Sequence, residues 1–173
     1  MLRVGGLVPL TTLDYPGRLA CVLFCQGCAW RCRYCHNPGL IVPRGEHERP
    51  WPEILDFLQR RQGLLEAVVF SGGEPTLQTA LPAAMRQARE LGFLIGLHSA
   101  GIRPHALAKV LPLVDWVGFD VKGLSEDTAL ITGVKGSGAA NWRSLELLLA
   151  SGVAYECRTT VHWHLTDCAK LLA

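Results

Sequence analysis

Five short apolar runs, set apart by segments of helical periodicity, constrain the fold of this chain more than any other feature. Leu19 to Phe24, Ala67 to Phe70, Phe93 to Leu97, Trp116 to Val121 and Val153 to Val161 read as strands. They are mostly apolar, as strands are when both faces of a parallel sheet are covered. Between them, Pro50-Trp51-Pro52-Glu53 opens a helix to about Arg61, with Pro52 tolerated in its first turn. Thr76 to Leu91 reads as a second helix stopped by Gly92, and Pro104 to Val110 as a third. Asn141 reads as the cap of a fourth, running through Ala150. Residues 1–18 carry turn signals (Gly5-Gly6, Pro9, Asp14-Tyr15-Pro16-Gly17) and read as irregular; the tail from Thr166 reads as a stub of helix. The repeated strand–helix order predicts an α/β fold: one domain over residues 1–173, an open, partial (β/α) barrel of about five parallel strands. The chain is too short for an eight-stranded barrel.

Polar clusters follow the strands at Cys28–Cys35, Ser71–Glu74, His98-Ser99, Asp120–Lys122 and Arg158–Thr160. The carboxyl edge of a parallel sheet is where such folds place their sites. In the first cluster, Cys28-x3-Cys32-x2-Cys35 holds three thiols in one loop. Three thiolates hold three irons of a cubane iron–sulfur cluster and leave the fourth iron open to a group that is not protein. Zinc is the alternative, since Cys25 adds a fourth thiol, but the gap between the two pairs is far shorter than in finger or ribbon spacings. A second register, Cys21-x3-Cys25-x2-Cys28, has the same spacing. Cys21 lies within a strand, where a buried small side chain is the ordinary role, and Cys25 then reads as a free thiol beside the cluster.

Seven cysteines, five of them between Cys21 and Cys35, with Cys157 and Cys168 isolated, read as metal chemistry in a reducing compartment rather than as disulfides. No apolar run approaches a membrane span, and the start of the chain does not read as a secretory leader, so a cytoplasmic protein is expected. A net charge of +2 gives no electrostatic argument for nucleic acid.

Tyr34 is placed to cover the cluster, with His36 and Asn37 close by. Gly72-Gly73-Glu74-Pro75 exposes backbone after a strand. Its carbonyls can receive an ammonium group, while Glu74 fixes the loop or takes a hydrogen bond; a plain tight turn is the alternative. Asp120 and Lys122 share one face of a strand end, as do Arg158 and Thr160. Lys122 can pair with a ligand carboxylate and Asp120 with a cation or hydroxyl, or the two can form a structural ion pair. Arg158 suits a planar carboxylate or a pair of hydroxyls. His162 and His164 alternate without an evident further ligand.

With these residues in view, the chain resembles the radical S-adenosylmethionine superfamily. Cys28-x3-Cys32-x-Tyr34-Cys35 and Gly72-Gly73-Glu74-Pro75 match its two leading motifs. Within it, Asp14-Tyr15-Pro16-Gly17, Gln26-Gly27-Cys28, Tyr34-Cys35-His36-Asn37-Pro38, Phe119-Asp120-Val121-Lys122 and Arg158-Thr159-Thr160-Val161 resemble the glycyl-radical-enzyme activases, above all the anaerobic ribonucleoside-triphosphate reductase activating group. The resemblance implies a [4Fe-4S] cluster on Cys28, Cys32 and Cys35, with its open iron chelated by the amino and carboxylate groups of S-adenosylmethionine. It implies that Gly72 and Gly73 help hold the amino group, that Lys122 meets the carboxylate, and that Ser99, Asp120 and Arg158 lie around the cofactor. One electron would cleave the sulfonium to methionine and a 5′-deoxyadenosyl radical, which would take hydrogen from a glycine of the partner enzyme. The implied partners are that glycyl-radical enzyme, most closely the anaerobic reductase, and a flavodoxin- or ferredoxin-type electron donor.

Cys25 stands where the family usually has threonine, and His98-Ser99-Ala100-Gly101 where activases often have Asp-Thr-Asn-Gly, which removes a carboxylate from a cation-binding position. Against the family pattern the chain reads as shortened at its C-terminus. The alternatives are another small radical S-adenosylmethionine enzyme acting on a small molecule or peptide, and a non-catalytic iron–sulfur or zinc binding protein.

Overall fold

A computed structural model describes residues 1–166, 169 and 170. Six strands form one sheet in chain order: β1 (Val4–Thr11), β2 (Ala20–Cys25), β3 (Ala67–Gly72), β4 (Leu94–Ser99), β5 (Trp116–Asp120) and β6 (Ala154–Arg158). From β2 to β6 every pairing is parallel, as the apolar runs predict. The helices are α1 (Trp51–Gln59), α2 (Leu81–Glu90), α3 (Pro104–Val110), α4 (Thr128–Thr132) and α5 (Ser137–Ser151). The sheet is open. Among the described residues no helix is long and apolar enough to cross a membrane.

Strand alternation sorts the sheet into two faces. Cys21, Leu23 and Cys25 of β2, Val68 and Phe70 of β3, Ile95 and Leu97 of β4, and Val117 and Phe119 of β5 are buried in the core that the helices cover. That core receives Trp51, Ile54 and Leu58 from α1, Leu81, Met85 and Ala88 from α2, and Leu107 from α3. Ala20, Val22, Ala67, Val69 and Trp116 point to the other face and form a smaller cluster plugged by Tyr15. The Tyr15 ring stands 5.4 Å from that of Trp116 and against Gly96, where a Cβ would come within 3.0 Å of it. The Asp14–Gly17 turn therefore closes the lower half of this inner face.

Several expectations are corrected. Residues 4–11 are not irregular: β1 pairs antiparallel with β2, with register shifts between Val4 and Gly6 and between Val8 and Thr11. Its glycines and Pro9 are tolerated because an edge strand needs only one paired side. The helix expected from Thr76 begins at Leu81, after a 3₁₀ turn over Pro75–Leu77. Asn141 does not cap α5; the helix starts at Ser137, and Asn141 lies within it, 1% exposed. The last strand ends at Arg158 rather than Val161. Cys168 and most of the expected terminal helix lie outside the described residues.

Candidate active site

The carboxyl ends of the strands surround a cleft of about 490 Å³. Inner-face alternation brings one residue from each parallel strand to it: Phe24, Ser71, His98, Asp120 and Arg158. Register aligns them across the sheet, with Phe24 opposite Ser71, His98 opposite Gly118 and Asp120 opposite Arg158. Cys28, Cys32, Cys35, Tyr34, Gly72, Gly73, Glu74, Ser99 and Lys122 line the same cleft, so every residue singled out as a site candidate meets there.

The thiol loop is anchored at both ends. Gly27 N donates to Leu40 O at 2.8 Å and Cys28 N to Ile41 O at 3.1 Å; farther on, Arg31 N and Arg33 N donate to Thr132 O and Ile131 O, each at 2.9 Å. Cys35 N donates to Cys32 O at 2.9 Å, a tight turn that keeps the last two thiols on one side. Cys21 and Cys25 are fully buried on the helix-covered face. Only the Cys28, Cys32, Cys35 register places its thiols together in the cleft. Burial pushes the Cys28 thiol up to about 11 and raises Cys32 as well, so a metal must displace protons to bind.

The glycine turn docks directly on the base of this loop. Gly73 N donates to Cys25 O and Glu74 N to Gly27 O, both at 2.9 Å. A Cβ on Gly73 would strike the Gly27 carbonyl and come within 2.9 Å of Leu40 O, while Gly72 has φ +112°. Glycine is needed at both positions for close backbone approach and for this dihedral. Glu74, 1% exposed, lies at the base of the cleft with its carboxylate buried. Its Oε1 accepts from Thr76 N (3.2 Å), Thr76 Oγ1 (2.6 Å) and Ser99 Oγ (2.7 Å), and its Oε2 from Ala100 N (3.0 Å). Burial raises its pKa against the pull of these donors. Glu74 and Ser99 thus tie the end of β3 to the end of β4, and they shape the site rather than offer free polar atoms.

Charge gathers on the opposite wall. Asp120 Oδ2 accepts from Lys122 Nζ at 3.0 Å, and Asp120 Oδ1 lies 3.4 Å from Arg158 Nη2, which also donates to Gly118 O at 3.2 Å. Burial pulls the Lys122 pKa down, but Asp120 and its other neighbours outweigh it, and the net shift is upward. His98 Nε2 lies 3.0 Å from the Asp14 carbonyl. A carbonyl only accepts, so Nε2 carries the proton, and Arg158 Nη1 at 3.5 Å is a neighbour rather than a hydrogen-bond donor to it. Burial, with Arg158 beside it, lowers the His98 pKa and keeps the ring neutral.

Alternation with Asp120 and Arg158 was the signal that could have added Phe24 and Ser71 to the candidates and given His98 a place. Asn141 was missed as a support: its Nδ2 donates to Ala100 O (2.7 Å) and Asp120 O (2.9 Å), and its Oδ1 accepts from Lys122 N (3.0 Å).

One buried polar atom lacks a partner here, Arg158 Nε. Among the described residues no three His, Cys, Asp or Glu side chains converge as a single-ion site. A cubane takes each thiolate on a different iron and needs no such convergence. Three thiols, an unpartnered guanidinium nitrogen and two cations around one open cleft fit a cluster with a polar, carboxylate-bearing ligand.

The chain belongs to the radical SAM superfamily, which it matches over residues 22–167. Its cofactors are accordingly a [4Fe-4S] cluster and S-adenosylmethionine. A protein of Methanocaldococcus jannaschii, provisionally named a glycyl-radical enzyme activating enzyme, is 34% identical over 169 residues, covering 91% of this chain and 67% of that one. The pyruvate formate-lyase-activating enzyme of Clostridium pasteurianum is 32% identical over 132 residues, 73% of this chain and 55% of its own. Among solved structures, native anSMEcpe with bound AdoMet superposes with a TM-score of 0.61 at 20% identity, covering 76% of this chain and 40% of that one, a likeness of fold. The chain spans between about half and two thirds of the length of the curated relatives named here.

Proposed function

We propose that this chain is a glycyl-radical-enzyme activating enzyme whose partner is the anaerobic ribonucleoside-triphosphate reductase. The observation that carries the reading is the single cleft in which Cys28, Cys32 and Cys35 face the Gly72–Gly73 turn and the Lys122–Asp120–Arg158 wall. The names of the relatives support the activase class, and the residue resemblance at Asp14–Gly17 and Tyr34–Pro38 supports the choice of reductase.

In this reading the three cysteines hold three irons. The carbonyls of the glycine turn receive the ammonium group of S-adenosylmethionine, and Lys122 and Arg158 receive its carboxylate. Asp120 keeps both cations aimed at the cleft, Glu74 and Ser99 keep the turn in place, and Tyr34 shields the cluster from water. When bound, the cluster and S-adenosylmethionine supply a one-electron sulfonium cleavage and the hydrogen abstraction that follows. The chain's own part is to orient, exclude water and admit the electron. Unpaired cysteines suit a reducing cytoplasm.

A second partner, pyruvate formate-lyase, is favoured by the Clostridium pasteurianum relative. The test is anaerobic reconstitution, reduction with dithionite and addition of S-adenosylmethionine with each candidate partner. A 5′-deoxyadenosine yield that depends on the three cysteines, with a glycyl-radical resonance on the reductase, is expected. A resonance on pyruvate formate-lyase alone would select the second partner. Cleavage with no radical on either would reject the activase reading.

A further inference from the structure

The thiol loop has an outer side. Trp30, Cys32 and Tyr34 line the cleft, whereas Arg31 and Arg33, alternating with them, are exposed. Their backbone bonds to Thr132 O and Ile131 O pin the loop along the end of α4. That contact brings the exposed Lys135 into the next turn, beside a helix end that carries Leu130, 56% exposed. Among the described residues no carboxylate pairs with Arg31, Arg33 or Lys135, while the nearby Glu126 and Asp127 are bridged to Lys170 at 3.0 and 2.9 Å.

Resting on the radical SAM reading above, we propose that Arg31, Arg33 and Lys135 form the docking surface for a protein electron donor with an acidic rim around its redox centre, of flavodoxin or ferredoxin type. Both arginines are covalent neighbours of Cys32, so a donor seated on them lies over a short path to a cluster ligand. The chain as a whole carries only +2, so a local group of three unpaired cations makes a directional field. Transient redox encounters bury little area and depend on charge for steering, and the exposed Leu130 supplies an apolar contact at the edge. The arginine side chains are not needed for the loop's backbone hydrogen bonds, so they can be reversed without removing its anchors.

The test uses the full, cluster-loaded chain carrying Arg31→Glu, Arg33→Glu and Lys135→Glu together, beside the conservative Arg31→Lys, Arg33→Lys pair. Cluster reduction and 5′-deoxyadenosine formation are followed with dithionite and with an enzymatically reduced acidic flavodoxin. The reversed variant should lose roughly tenfold or more of the flavodoxin-driven rate at low salt and most of its salt dependence. Its iron content and dithionite-driven rate should stay at the parent level, and the lysine pair should retain most of the flavodoxin-driven rate. A flavodoxin-driven rate within about twofold of the parent overturns the assignment, since steering by three charges is worth far more. Equal loss with both donors also overturns it. Flavodoxin affinity, read by flavin fluorescence in the same samples, decides the patch even if the parent chain makes no 5′-deoxyadenosine with dithionite, a result that would refute the activase reading instead.

Discussion

Replacing Asn141 with alanine should cost this protein far more than a surface helix residue would. The side chain makes three hydrogen bonds, to Ala100 O, Asp120 O and Lys122 N, and so joins α5 to the ends of β4 and β5. Losing it leaves the Ala100 carbonyl buried without that partner, at about 2 kcal/mol, while the two part-buried groups, which water can reach in part, add about 1 kcal/mol each. The sum, about 4 kcal/mol, should lower Tm by roughly 8–16 °C in a chain of this length. Were Asn141 a helix cap, the loss would be only about 1 kcal/mol. Asn141→Asp separates bonding from volume: it keeps the acceptor for Lys122 N but turns a carboxylate oxygen on two carbonyls, and it should be at least as damaging. Thermal unfolding of cluster-loaded protein by far-ultraviolet circular dichroism, with iron content checked, reads the effect. A Tm loss under about 4 °C for the alanine variant, or parental behaviour of Asn141→Asp, would refute the hub.

Cys35→Ala should abolish most iron retention after anaerobic reconstitution, whereas Cys25→Ala should leave iron per chain unchanged, because Cys25 is buried on the helix-covered face; the reverse result would select the other register. Gly73→Ala should cost about 1–3 kcal/mol through overpacking against the Gly27 and Leu40 carbonyls and should loosen the cluster loop, whereas Gly39→Ala, with nothing within 4 Å, should be neutral by both Tm and iron content. His98 is held below its ordinary pKa by burial and Arg158, so the unfolded chain binds this proton more readily. The stability it contributes is complete above about pH 6.5 and is lost as pH falls through the depressed folded value. His98→Asn should therefore flatten the acid limb of the Tm–pH curve, and parallel curves for variant and parent would sink that account.

The parallel strands were legible because burial on both faces leaves a mark in composition: Ala67 to Phe70 has no polar residue, and neither face of it sees water. Val4–Thr11 left no such mark. Two glycines and a proline argue against a strand locally, and only pairing with β2 makes it one, which is a tertiary fact. Asn141 misled for a related reason. The helix begins four residues earlier because Gly138, whose absent Cβ would overlap the backbone of Ser125, lets its first turn pack closely there. No local propensity reports that contact.

At the site, the sequence allowed two roles for Asp120 and Lys122, an internal ion pair or contacts to a ligand, and the structure shows why they need not compete. Asp120 lies between two cations, Lys122 at 3.0 Å and Arg158 at 3.4 Å, and faces both with a single negative charge. His98, held neutral on the Asp14 carbonyl, adds none. Glu74 is enclosed by donors from its own turn and from β4, which separates its charge from this wall. Two cations thus share one close carboxylate beside the cleft, and Arg158 Nε there has no partner. A carboxylate arriving on a ligand would supply the missing acceptor and a second anion close to the two cations. The ion pair is then the device that holds Lys122 and Arg158 in position before the ligand binds, so that little side-chain freedom remains to be lost when it does.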